Sequence, residues 1–240
     1  MARTKTKKVI TAVQVALAVL VVAGIAWIAF KVVGYNQAQQ VYHEMERAYA
    51  AQPVDGDPAS VNVAQLQEMH PGAVGWLKMD DVDISYPIMQ GKDNEYYLHY
   101  DADGNPNIDG SIFMDYRNKS FDDLHVLLYG HNMLDESMFG QLDEYVSADF
   151  YRKGTGGFTV YTPDAAYRYK IFAVDIVDPS DDVYQTGYQN LAVFSGFVKQ
   201  LKERSMYDTG VDVSGSDHVV TLSTCSANDR LVLSAKRVQG

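Results

Sequence analysis

His218-Val-Val-Thr-Leu-Ser-Thr-Cys225, then Ser226-Ala-Asn-Asp229, then Arg230-Leu-Val-Leu-Ser-Ala-Lys236 is the stretch on which the fold turns. The first run is rich in Val, Leu and Thr and reads as a strand ending at Cys225. The second fits a four-residue hairpin loop, and Arg230 opens a return strand. In that register Cys225 and Arg230 oppose each other, with Cβ atoms about 4.5–5.5 Å apart. A guanidinium beside a thiol favours thiolate. It can also donate hydrogen bonds to an oxyanion on a carbonyl under attack, since it stays protonated and presents planar donors. The plainer alternative is a buried cysteine beside an arginine that extends to water.

Short apolar runs separated by Gly, Asn, Asp and Pro continue outward from this hairpin. They predict strands over 75–79, 84–88, 111–114, 125–129, 157–162, 166–177, 218–224 and 230–237, arranged as an antiparallel barrel or sandwich. One helix interrupts them at 191–203, where Leu191, Phe194, Phe197, Val198 and Leu201 form a one-sided stripe suited to packing on the barrel. Upstream, 35–51 predicts a helix, 52–60 a linker with Pro53, Gly56 and Pro58, and 61–69 a short helix capped by Ser60. Residues 9–33 form an apolar run about 37 Å long at helical rise, which predicts a single transmembrane anchor rather than a cleaved signal peptide. Arg3, Lys5, Lys7 and Lys8 before it predict a cytoplasmic tail over 1–8, with the remainder outside. The resulting division is tail 1–8, anchor 9–33, juxtamembrane helices and linker 34–74, and catalytic domain 75–240.

The chain has 240 residues, 47% of them hydrophobic, and a formal net charge of −11. That acidity argues against nucleic acid as a partner, because phosphate recognition needs clustered Lys and Arg. There is one cysteine, so no internal disulfide can form, and an exported free thiol calls for a chemical reason. A cysteine nucleophile usually needs a histidine. Of His43, His70, His99, His125, His131 and His218, the best placed is His131, which follows the strand 125–129 and Gly130 at a strand-end loop. A structural role for it stays open on spacing alone. Asp101 to Gly110 mimics a calcium loop but has Pro106 and Ile112 where Gly and Glu are required, so it reads as a turn. We expect no metal and no cofactor, since neither zinc spacing nor a phosphate-binding glycine loop is present.

These residues resemble the sortases. Thr221-Leu-Ser-Thr-Cys225 followed by Arg230 is similar to the family's TLxTC…R signature, and Tyr129-Gly-His131-Asn132 to its histidine motif. Gly75-Trp-Leu-Lys78, Ile84-Ser-Tyr-Pro-Ile88, Gln90-Gly-Lys-Asp-Asn-Glu-Tyr-Tyr-Leu98 and Gly110-Ser-Ile-Phe-Met-Asp-Tyr-Arg-Asn118 resemble class B members. The likeness runs from about Trp76 to Lys236, and one departure is a tight Cys225–Arg230 connection. It implies a mostly β fold: a closed eight-stranded barrel with N-terminal helices and one helix before the cysteine strand, here preceded by the transmembrane helix. It implies a catalytic set of Cys225, His131 and Arg230 and a substrate groove at Asn94, Leu98, Tyr129, Ser223, Thr224 and Tyr184. It further implies a cysteine transpeptidase on a bacterial cell membrane. Its partners would be secreted proteins with a C-terminal NPxTN or (S/P)PxTG sorting signal, and the amine of a lipid-linked peptidoglycan precursor or a pilin lysine. A catalytically silent binding module and a water-using endopeptidase are the readings from other classes.

Overall fold

In the computed structural model every expected strand forms, with ends shifted by at most two residues: β1 Ala73–Met79, β2 Ser85–Met89, β3 Ile112–Met114, β4 His125–Tyr129, β5 Gly157–Tyr161, β6 Ala166–Val177, β7 Val219–Ser226 and β8 Asp229–Val238. The structure describes residues 2–50, 61–226 and 228–238, without the side chains of 2–13, 30, 31, 33, 35–37, 225 and 226. The expected linker 52–60 lies outside the described residues, as does Ser60. The strands close into a barrel in the order β1-β2-β3-β4-β7-β8-β6-β5. Closure gives each strand a partner on both sides and removes the free edges that invite aggregation.

Two neighbouring pairs, β2·β3 and β4·β7, are parallel, which corrects the expectation of an antiparallel barrel. Apolar periodicity reports which face of a strand is buried and carries no information about the direction of its neighbour. The β7–β8 register is the expected one, Cys225 opposite Arg230, but pairing continues to Ser226 and Asp229, so the connection is two residues shorter than a four-residue loop. The barrel interior is filled by large side chains such as Trp76, Leu77, Ile88, Phe113, Leu128, Phe158 and Leu222. At about 1.5–3 kcal/mol for each fully buried side chain of this size, this interior is the main source of stability.

Helix α1 spans Ala2–Met45, and a π turn follows at Glu46–Ala50. Helix α2 covers Val63–Met69, α3 Ala148–Lys153 and α4 Leu191–Glu203, with a 3-10 segment at Gly140–Val146. The cap of α2 is Asn62, whose side chain accepts from the Gln65 amide at 3.1 Å. On α4 the expected stripe buries Phe194, Phe197, Val198 and Leu201 against Phe172, Val183, Val219 and Val232, a second core outside the barrel. Leu191 is not part of it and stands exposed, because it occupies the first helical turn beyond the packed face.

The chain falls into two compact units, residues 1–38 and 39–240. In the first, Val15, Leu17, Val19, Leu20, Val22 and Ile25 are exposed along the helix. The expected transmembrane helix is overturned: among the described residues, no helix is long and apolar enough to cross a membrane. The side chains of 9–13, 30, 31 and 33 lie outside the described set. In the second unit, the last turns of α1 belong to the barrel's core through Tyr42 and Met45.

Candidate active site

The chemistry-bearing residues gather at one end of the ring, where the parallel pair β4·β7 meets the β7–β8 hairpin. Tyr129 is registered with Ser223, and the Gly130 amide extends that ladder by donating to the Ser223 carbonyl at 3.3 Å. His131 lies two residues beyond Tyr129, and Cys225 two beyond Ser223, so their backbones sit level on adjacent strands. Arg230 faces Cys225 from β8. With strands about 4.8 Å apart, the order across the sheet is His131, Cys225, Arg230. The Cys225 side chain lies outside the described residues, so its place is fixed here by backbone register.

Gly130 is required by close approach. A Cβ there would lie 2.5 Å from Ile112 Cδ1 and 2.8 Å from Phe139 Cδ2. The next residue is held at both ends of its loop: the Phe139 amide donates to the His131 carbonyl at 2.9 Å, and the imidazole Nε2 lies 2.8 Å from the Leu98 carbonyl. A carbonyl only accepts, so Nε2 carries the proton and Nδ1 is the nitrogen left to exchange one. Gly110 packs against the Leu98 carbonyl: its φ is +56°, and a Cβ there would lie 2.5 Å from the Tyr97 carbonyl oxygen and 2.8 Å from that of Leu98, so no side chain fits.

Asn94, Leu98, Tyr129, Tyr184, Ser223 and Thr224, the residues expected at the groove, line one open cavity of about 330 Å³ together with His131 and Arg230. Sequence reasoning missed Phe113, Gly130 and Pro179, which line it too. The floor is apolar, and Thr224 is buried there with its Oγ1 unpartnered. Tyr184 stands against Tyr129 with ring centroids 6.2 Å apart, and its hydroxyl lies 2.9 Å from Ser223 Oγ.

An ion pair between a buried Asp115 and a solvent-exposed Arg117 sits behind this wall. Asp115 is fully buried and receives hydrogen bonds from Arg117 Nε (2.8 Å), Arg117 Nη2 (2.7 Å), Asn94 Nδ2 (2.9 Å) and the Tyr129 hydroxyl (2.9 Å). Burial works against its charge, but these bonds and that from the Arg117 amide prevail and hold the carboxyl below the usual range. The same bond from the carboxylate raises the Arg117 guanidinium further. The only sequence signal was an Asp and an Arg two apart just after an apolar strand, which does not by itself reveal their partners.

His125 opens β4, a strand-start position that points to a structural role. It is wholly buried, with Nδ1 2.9 Å from the Gln185 carbonyl and Nε2 2.9 Å from Thr221 Oγ1. Burial pushes its pKa down to about 4. Because the folded value lies below the unfolded one near 6.5, the folded state prefers the neutral ring. The stability this confers is present above about pH 6.5 and is lost as pH falls towards 4, by roughly 3 kcal/mol. Urea unfolding of wild type and His125→Asn should therefore show a gap that shrinks from pH 7 to pH 4; a gap independent of pH would refute the assignment.

Comparison with known proteins follows the same lines. The sortase domain family model matches residues 77–238. Sortase B of Listeria monocytogenes is 38% identical over 181 residues, covering 72% of each chain. Among solved structures, sortase B from B. anthracis matches with a TM-score of 0.77 at 33% identity, covering 87% of this chain and 99% of that one. A Staphylococcus aureus sortase B-substrate complex matches with a TM-score of 0.77 at 26% identity, covering 86% and 99%. With a barrel, a signature hairpin and relatives that agree over most of its length, the chain belongs to the sortase family, in class B, and is a cysteine transpeptidase of the kind that anchors proteins to the cell wall.

Proposed function

We propose that the chain cleaves a C-terminal sorting signal of the NPxTN or (S/P)PxTG kind after its Thr and joins the new carboxyl end to the amine of a lipid-linked peptidoglycan precursor. The observation that carries this reading is the placement of His131 just beyond the end of β4, Cys225 on β7 and Arg230 on β8, at the end of the sheet where His131 and Arg230 line one groove. The groove suits an extended peptide with small and apolar side chains, since Leu98, Phe113, Tyr129 and Tyr184 supply apolar surface while Asn94, Ser223 and Thr224 supply a few polar atoms. A relative solved as a substrate complex supports the same reading.

In this mechanism the Cys225 thiolate attacks the Thr carbonyl. Arg230, across the hairpin, donates hydrogen bonds to the oxyanion as charge develops there. His131 gives a proton from Nδ1 to the departing amine, leaving a thioacyl enzyme. The incoming amine then loses a proton to the same nitrogen as it attacks the thioester. The extracytoplasmic face of the cell is where exported substrates and wall precursors meet, and we place the activity there.

Mass spectrometry of the full chain with a panel of NPxTN and (S/P)PxTG peptides and an amine acceptor tests the proposal. A thioacyl adduct on Cys225 and an amine-capped product cut after Thr are expected. Product capped only by a pilin lysine would replace the wall precursor as acceptor. Water alone as acceptor would make the chain an endopeptidase, and absence of both adduct and product would favour a silent binding module.

A further inference from the structure

We propose that Asp115 and Arg117 are a positioning pair that holds the tyrosine wall of the groove in register with the reacting residues. The inference rests on the reading of the groove as the peptide site.

The guanidinium ties the backbone of the Tyr184 turn to the carboxylate that holds Tyr129, alongside the direct Tyr184–Tyr129 ring contact and the Tyr184–Ser223 hydroxyl pair. Two of its nitrogens grip Asp115, and Nη2 also donates to the Tyr184 carbonyl at 3.0 Å. Asp115 in turn fixes Tyr129 through its hydroxyl and Asn94 through its amide. The Asn94 side chain is thereby committed at both ends, because its Oδ1 accepts from the Tyr116 amide at 3.1 Å. Three separate parts of the chain are thus referred to one buried carboxylate: the loop before the 3-10 turn Tyr96–Leu98, the end of β4, and the 3-10 turn Asp182–Tyr184. None of these bonds involves His131 or Arg230, so the pair sets where a peptide lies and leaves the reacting groups alone.

The turn carrying Tyr184 has other anchors, and they do not duplicate this one. Arg204 holds Asp181 at its base (2.6 Å), and His125 holds the Gln185 carbonyl just after it. Both hold other points of the turn, whereas Arg117 ties its Tyr184 carbonyl to the carboxylate that also holds Tyr129 and Asn94. Lysine cannot replace it, since a single ammonium lacks the planar fork that serves a carboxylate and a carbonyl together.

The test is a set of full-chain variants, Arg117→Met, Arg117→Lys, Tyr184→Ala and Arg117→Met/Tyr184→Ala, assayed on a sorting peptide. Arg117→Met should raise KM about tenfold with kcat changed less than about threefold, and Arg117→Lys should recover less than half of that loss. Added to Tyr184→Ala, Arg117→Met should cost no more than about twofold, because the wall it positions is already gone. Cys225 alkylation by iodoacetamide should proceed at the wild-type rate in Arg117→Met. Additive losses, a fall confined to kcat, or slowed alkylation would overturn the proposal. Amide exchange of residues 182–188 gives a readout that needs no substrate: acceleration in Arg117→Met over wild type is expected, and unchanged exchange refutes the pair's role. Failure of the wild type on every peptide would sink the peptide-site reading, while exchange would still decide the positioning role by itself.

Discussion

Cys225→Ala should lose at least about 10⁴-fold in kcat/KM for peptide cleavage, a loss of roughly 5 kcal/mol of transition-state stabilisation. A cysteine transpeptidase needs a thiol to hold the acyl group between its two half-reactions, and this chain contains one cysteine. No second thiol can substitute, and alanine offers no nucleophile at all. The thioacyl adduct should vanish with the activity, while peptide affinity and the unfolding midpoint should stay close to wild type because only one sulfur is removed at the open end of a strand. Cleavage after Thr by the alanine variant at more than about 1% of the wild-type rate would remove Cys225 from the mechanism.

His131→Ala should lower kcat by about 10²–10⁴-fold, the usual contribution of a positioned acid or base. The leaving amine of a peptide is a poor leaving group unless protonated, so acylation should suffer most. A thioester leaving group does not need that proton. Single-turnover kinetics should therefore show adduct formation slowed more than its aminolysis. Equal slowing of both steps with an unchanged rate ratio would instead point to His131 as a structural support for Leu98, whose carbonyl it holds at 2.8 Å.

Much of this architecture was readable from residues alone, for identifiable reasons. The hairpin of β7 and β8 was legible because two β-rich runs flank a short polar stretch, and the Cys225–Arg230 register followed from counting, although Ser226 and Asp229 pair rather than turn. Helix α4 was legible because its apolar stripe is long enough to separate period 3.6 from period 2. The direction of β4 against β7 was not legible, since Tyr129 and Ser223 are far apart in sequence and nothing local to either specifies its neighbour. The short segments Gly140–Val146 and Ala148–Lys153 were missed because one or two turns leave too little periodicity to detect. Hydropathy over 9–33 led to a membrane span that the described residues do not show. At the site, His131 and Arg230 were singled out through spacing and family likeness, and both line the groove. Asp115 and Arg117 were quoted within a motif but given no role, because their partners Asn94, Tyr129 and Tyr184 come from three distant stretches of chain.

Parallel neighbours cannot be joined by a hairpin, so between β4 and β7 the chain must leave the site, build β5, β6 and α4, and return. The turn that carries Tyr184 lies on that excursion, whereas His131 and Cys225 lie at its two ends. One wall of the groove is therefore carried on a different piece of chain from the strands that supply Tyr129, Ser223 and Thr224. Of the groove's lining, Pro179 and Tyr184 alone come from the segment between β6 and α4, so that segment can vary in length and sequence without changing the order of the reacting strands.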